Sequence, residues 1–217
     1  MNIEKITIPI YETNCYIIRN NNECIIFDCG GLDEIYKYLK NNNLTPKIIF
    51  LTHGHYDHIS AISFIKRNFK DTKVIAYKEE KEIIEDPNKN LSEPMFGAPY
   101  VYKSVKYKED GDIINIFNYD IKIIKTPGHT IGSCCYYIEK EKTLFAGDTL
   151  FYETYGRYDL PTGSLKDIIN SVGIELMKLP NDTKVYTGHG ITTTIGHERE
   201  KNELTLDYVL DYGKKLK

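Results

Sequence analysis

Three histidines and an aspartate fall within six positions of this 217-residue chain, in the run Leu51-Thr52-His53-Gly54-His55-Tyr56-Asp57-His58. Imidazole and carboxylate groups are ordinary ligands for zinc and similar divalent metals. Crowding four of them together is costly for folding unless something binds them. The run follows the apolar residues 48–51 and precedes a helical pattern, so it belongs at the carboxyl end of a strand, where α/β sheets place ligands. Gly54 allows a tight turn between the first two histidines.

Three further turns share that context. Residues 121–124 lead to Thr126-Pro127-Gly128-His129, 144–146 to Gly147-Asp148, and 184–186 to Gly188-His189. Of the six histidines only His197 lies elsewhere, and it is expected at the surface or at a helix start. Taken singly, His129, Asp148 or His189 reads as a turn or capping residue. Four turns carrying the same donor types at strand ends point to a folded metal site.

The elements that must position these turns are legible as alternating patterns. Apolar, β-branched runs predict strands at 5–9, 15–18, 24–27, 48–51, 74–76, 121–124, 133–138, 143–145 and 184–186. Helical spacing predicts helices at 32–41, 58–69, 164–178 and 199–215, with Ser164 as an N-cap for the third. The order is strands, helix, strand, His-rich turn and helix, then strands, Gly-Asp turn, helix, strand, Gly-His turn and helix. This is an α/β pattern in two halves, with sheets in the middle and helices outside. Residues 86–112 lack periodicity and are rich in Pro, Asn, Lys and Tyr. Such a stretch reads as surface or as the wall of a site, with Met95, Phe96 and Tyr100 as its candidate lining.

Composition bounds the function. A hydrophobic content of 41% suits a core, and 217 residues suit one domain, 1–217. The net charge of −3 offers no basic stripe for nucleic acid. No apolar run approaches the ~20 residues of a membrane span, and Met1-Asn2-Ile3-Glu4-Lys5 opens no secretory leader. The five cysteines, Cys15, Cys24, Cys29, Cys134 and Cys135, form no even framework and suit a reducing cytoplasm. Neighbours such as Cys134 and Cys135 point to opposite faces of a strand. Oligomeric state is not legible.

The run from Thr52 to His58 resembles the HxHxDH signature of the metallo-β-lactamase superfamily. Gly128-His129, Gly147-Asp148 and Gly188-His189 are similar to its remaining ligand motifs, in the same order. Asn14-Cys15-Tyr16 and Asp28-Cys29-Gly30 resemble its early strand motifs, so the likeness covers nearly the whole chain. It implies an αβ/βα sandwich, two central mixed sheets flanked by helices, with two metals at one edge between the sheets. By position, His53, His55 and His129 would hold one metal and Asp57, His58 and His189 the second, with Asp148 bridging. The ions would be divalent, zinc first, with iron or manganese on the same donors. Asp28 resembles an acid that orients a ligand histidine, though a turn residue before Gly30-Gly31 would look the same.

Within the superfamily the chain most resembles short glyoxalase II-like hydrolases. Phe145-Ala146-Gly147-Asp148-Thr149-Leu150-Phe151 is similar to their bridging-ligand motif, and Gly156-Arg157-Tyr158-Asp159-Leu160-Pro161 to their GRxDLP segment. Arg157 and Asp159 are expected to pair with each other and brace the loop. The resemblance implies hydrolysis of a small acyl thiol by a metal-bridging hydroxide, with Asp57 orienting it. Two divalent ions, less Asp57, Asp148 and the hydroxide, leave a site of about +1, still electrophilic. True β-lactamases depart from this pattern at the Gly-Asp position. Only 28 residues follow His189, too few for the helical domain that binds glutathione in full-length glyoxalase II, so the carrier thiol is left open. A lactone or ester hydrolase is an alternative of the same fold. The rival from another class is a mononuclear-iron persulfide dioxygenase, which would need only His53, His129 and Asp148. A non-catalytic metal-binding module would not require all seven positions.

Overall fold

A computed structural model describes residues 1–204. The chain forms two compact units, Met1–Glu109 and Asp110–Lys217. Each is built on a mixed six-stranded sheet with helices in the connections.

In the first unit the strands β1 (Ile3–Ile8), β2 (Thr13–Asn20), β3 (Glu23–Phe27), β4 (Thr45–Phe50), β5 (Lys73–Tyr77) and β6 (Lys106–Lys108) lie side by side in chain order. The first three run antiparallel and the rest are added in parallel. Helix α1 (Glu34–Asn41) buries Ile35 and Leu39, one turn apart, into a core of Ile17, Ile26, Ile49 and Leu51. The parallel register of β3 and β4 sets Phe27 against Phe50, so both strands end at one edge. Asp28 follows β3 there and Leu51-Thr52-His53 follows β4.

The helix expected over 58–69 is instead two short helices, α2 (Tyr56–Ile59) and α3 (Ile62–Asn68). The chain after β3 interrupts the helical ladder. Cys29 N–H donates to the His58 carbonyl at 2.7 Å, and Ala61 N–H donates to the Cys29 carbonyl at 3.0 Å. The approach is close enough that a Cβ on Gly30 would stand 1.8 Å from the Asp57 carbonyl oxygen. Periodicity missed structure in and beside the irregular stretch: α4 (Lys81–Ile84) just before it, and α5 (Ser92–Phe96) and the edge strand β6 within it.

The second unit contains β7 (Ile113–Ile116), β8 (Tyr119–Lys125), β9 (Cys134–Ile138), β10 (Thr143–Gly147), the hairpin β11 (Leu150–Phe151) and β12 (Thr154–Tyr155), β13 (Lys184–Thr187) and β14 (Thr193–Thr194). The sheet order is β14-β13-β10-β9-β8-β7, parallel only between β10 and β13. Two antiparallel steps from β8 through β9 to β10 return the direction. Strands β8, β10 and β13 therefore finish at the same edge.

Helix α6 (Leu165–Asn170) starts at Ser164, whose hydroxyl accepts from Asp167 N–H as expected. Its helical path continues through a π turn (Ser171–Glu175) and a 3₁₀ turn (Leu176–Lys178). Ile168, Ile169, Val172 and Leu176 pack on Leu144 and Val185. Helix α7 (Ile195–Lys201) begins four residues before the expected start at 199, capped by Thr194; positions 205–215 of that expectation lie outside the described residues. Among the described residues no helix is long and apolar enough to cross a membrane.

Candidate metal centre

The first donor set sits where β4 ends. His53, His55 and His58 are buried, and Asp57 keeps a side-chain exposure of 21%. The His53 ring lies 4.8 Å from that of His55 and 4.1 Å from that of His58, centroid to centroid.

Hydrogen bonds fix which nitrogens can bind a metal. Thr52 donates its hydroxyl proton to Asp28 Oδ2 at 2.8 Å, and Thr52 N–H donates to Asp28 Oδ1 at 2.8 Å. Having spent that proton, Thr52 Oγ1 accepts from His53 Nδ1 at 3.1 Å. Asp28 Oδ2 also accepts from His58 Nδ1 at 2.9 Å. Both rings therefore carry their proton on Nδ1 and keep Nε2 as a lone-pair donor, the arrangement that second-layer carboxylates impose on ligand histidines. Asp28 reaches this position through a left-handed backbone, φ 58°.

Two further residues brace the set from far along the chain, and the sequence offered no sign of either. Thr13 Oγ1 donates to Asp57 Oδ2 at 2.7 Å, and the fully buried Glu80 accepts Gly54 N–H at 2.7 Å. Thr52 was visible in the motif only as a neighbour.

The second donor set is His129, Asp148 and His189. His129 Nδ1 lies 2.8 Å from the Arg157 carbonyl oxygen, which can only accept, so this ring too is protonated on Nδ1. Its Nε2 is 3.7 Å from Asp148 Oδ2, and His189 Nε2 is 3.4 Å from the same oxygen. Thr187 closes the last turn by donating its hydroxyl to the His189 carbonyl at 2.7 Å. Two glycines leave room for Asp148: a Cβ on Gly156 would meet its carbonyl oxygen at 1.7 Å, and one on Gly188 its carboxylate at 2.0 Å.

These spacings fit a shared ion. Two ligand atoms each 2.0–2.1 Å from a tetrahedral ion stand about 3.3 Å apart. His58 Nε2 and Asp57 Oδ2 are 3.3 Å apart, and His189 Nε2 and Asp148 Oδ2 are 3.4 Å apart. A charge-assisted hydrogen bond would be about 2.7–2.9 Å. All seven residues fall into groups of donors able to hold a metal ion.

The remaining candidates behave as structural residues. Arg157 Nε and Nη2 each donate to Asp159 at 2.8 Å in an exposed bidentate pair, while the Arg157 backbone holds His129. His197 N–H binds the Thr194 cap and its ring binds Glu153 at 2.9 Å. All five cysteines are buried and lie outside any disulfide; burial pushes the Cys24 thiol up to about 12 and raises Cys15 and Cys29, so those three stay protonated.

Residues 9–189 match the family model of the metallo-beta-lactamase superfamily. The chain belongs to that superfamily. Among its relatives, "Probable metallo-hydrolase YqgX" of Bacillus subtilis (strain 168) is 34% identical over 88% of this chain and 91% of its own. The hydroxyacylglutathione hydrolase GloC of Haemophilus influenzae (strain ATCC 51907 / DSM 11121 / KW20 / Rd) is 30% identical, covering 93% and 97%. The crystal structure of the BLEG-1 B3 metallo-beta-lactamase superposes with a TM-score of 0.86 at 35% identity, over 93% of this chain and 98% of that one. The fold is thus the metallo-β-lactamase fold.

Proposed function

We propose that His53, His55, Asp57, His58, His129, Asp148 and His189 together hold two divalent metal ions, and that the protein hydrolyses small acyl thiols as one domain. The observation that carries the reading is the donor geometry. The pairs His58 Nε2–Asp57 Oδ2 and His189 Nε2–Asp148 Oδ2 stand at the separation of two ligands on a common ion, and all seven residues, His53, His55 and His129 included, belong to donor groups able to hold one. Zinc suits these donors, and iron and manganese accept them as well. The likeness to GloC supports the acyl-thiol class.

Divalent ions held by these residues would lower the pKa of a bound water toward about 7 and polarise a carbonyl. The chain's own residues do the positioning. Asp28, Thr52 and the Arg157 carbonyl keep His58, His53 and His129 in the tautomer that presents Nε2. Thr13 anchors one oxygen of Asp57, the donor of its set that solvent reaches. Asp57 orients the attacking water and receives its proton. A carbon–oxygen bond forms at the acyl carbon, the carbon–sulfur bond breaks, and the thiolate takes the proton.

A second reading, β-lactam hydrolysis, is favoured by the likeness to the B3 enzyme. One assay separates the classes: thiol release from S-acetyl and S-lactoyl thiols, turnover of a chromogenic cephalosporin and of a lactone, and oxygen uptake with a persulfide. Metal-dependent thiol release without oxygen uptake is expected. Oxygen uptake alone would make the protein a dioxygenase, and cephalosporin turnover alone a β-lactamase.

A further inference from the structure

Beside the first donor set lies an aromatic shelf that the proposed chemistry leaves unused. Tyr11, in the turn between β1 and β2, stands edge-on to Phe96 at 5.2 Å and to Tyr56 at 6.3 Å. Tyr56 in turn lies 5.1 Å from Phe96. Phe96 and its neighbour Met95 remain 39% and 60% exposed. A cluster of large apolar groups held in the open marks a surface that binds something.

The shelf is attached to the donors on both sides. Tyr56 immediately precedes Asp57, and Tyr11 is two residues from Thr13, which binds Asp57. The Tyr11 phenol is close enough to Asp57 to feel its charge. The segment carrying Phe96 is stitched to the metal-binding turn: Tyr56 N–H donates to the Asn90 carbonyl at 2.8 Å. The Asn90 side chain accepts from Ser92 N–H and donates to the Tyr100 carbonyl. Tyr100, the third residue that composition offered as pocket lining, is turned inward, with its hydroxyl on Ser63 and its ring against the core. The wall is therefore Phe96, with the exposed Met95 beside it in sequence.

We propose that Tyr11, Tyr56, Phe96 and Met95 form the binding surface for the substrate's acyl group and select an uncharged, apolar one. The inference rests on the acyl-thiol reading above. None of the four side chains is cationic. Soluble carrier thiols bear carboxylates or phosphates that such a surface cannot pair, whereas a hydrocarbon acyl chain gains about 0.8 kcal/mol per buried methylene, roughly a fourfold change in binding.

The test uses the full-length, metal-loaded protein and N-acetylcysteamine thioesters from acetyl to hexanoyl. Calorimetry on the matching non-hydrolysable thioethers gives binding independently of turnover. In the wild type, kcat/KM and thioether affinity should climb by up to about fourfold per methylene. In Phe96→Ala the climb should flatten in both series, with KM rather than kcat responding. A circular-dichroism melt close to wild type would show that the variant is folded, and Tyr11→Asp provides a second probe that places a charge on the same face. A flat wild-type series, or an unchanged climb in folded Phe96→Ala and Tyr11→Asp, overturns the proposal. Thioethers that bind with the climb while no thioester turns over support the shelf and overturn the acyl-thiol reading instead.

Discussion

The two donor sets are built by opposite means. In residues 1–109 the donors lie on one turn and the first turn of one helix, and distant residues come to them: Asp28 from the end of β3, Thr13 from β2, Glu80 from the segment after β5. In residues 110–217 the donors themselves are dispersed. His129, Asp148 and His189 follow three separate strands and meet only because β8, β10 and β13 end at one edge. The first set needs supports for a cluster that the sequence already makes; the second needs the sheet order to make the cluster at all. What they share is glycine at the closest approach, Gly30 over the Asp57 carbonyl and Gly156 over that of Asp148.

That shared feature gives the largest expected effect. Gly30→Ala and Gly156→Ala each drive a methyl into backbone that cannot yield. Each should cost about 3 kcal/mol, a Tm fall of roughly 6–12 °C for a domain of this size. Gly190→Ala meets no atom within 4 Å and bears only its left-handed φ of 72°, so about 1 kcal/mol is expected. Calorimetric melts of the three variants would collapse the distinction if Gly190→Ala proved as damaging as the other two.

Support by distant residues gives the next effect. Asp28→Asn tolerates the left-handed backbone, yet its amide cannot accept from Thr52 N–H, Thr52 Oγ1 and His58 Nδ1 together. Metal affinity should fall 10–100-fold, measured by competition with a chromogenic chelator. Unchanged affinity would reduce Asp28 to a turn residue. Thr13→Ala is milder. It removes one hydrogen bond to a carboxylate, about 1.5 kcal/mol at the low end of the range for a charged acceptor, and should lower kcat more than metal content.

The contrast also explains what was readable. The cluster from His53 to His58 stands out because its donors are local, and the nine strands expected from apolar runs are all present. Asp28 and His129 could be matched by motif, but the bonds that orient them depend on which strand lies beside which. Thr13 and Glu80 carry no local mark, since their partners are 44 and 26 residues away. Strand β7 escaped because its hairpin turns through Phe117 and Asn118, both left-handed, where an Asn-Gly pair would have advertised it. The single helix expected over 58–69 failed for the same reason: Cys29, remote in sequence, takes its backbone bonds.

The smallest effect lies at the loop whose backbone holds His129. The Arg157 guanidinium beside Asp159 holds that carboxyl down to about 2. Because the folded value is depressed, the pair's contribution is present above the ordinary aspartate range near pH 4 and fades as pH falls toward 2. Asp159→Asn should leave Tm at pH 7 nearly unchanged and slightly flatten its decline between pH 4 and 2. A large loss at neutral pH would mean that the pair does more than brace an exposed loop.

If both donor sets serve one dinuclear centre bridged by Asp148, as proposed, metal stoichiometry will register it. Elemental analysis of purified protein should give up to two divalent ions per chain. Asp148→Ala should lower occupancy at both positions together with thiol release, while His197→Ala should leave the metal content of the wild type. Undiminished metal content and full activity in Asp148→Ala would remove Asp148 from the site and rule out a shared dinuclear centre.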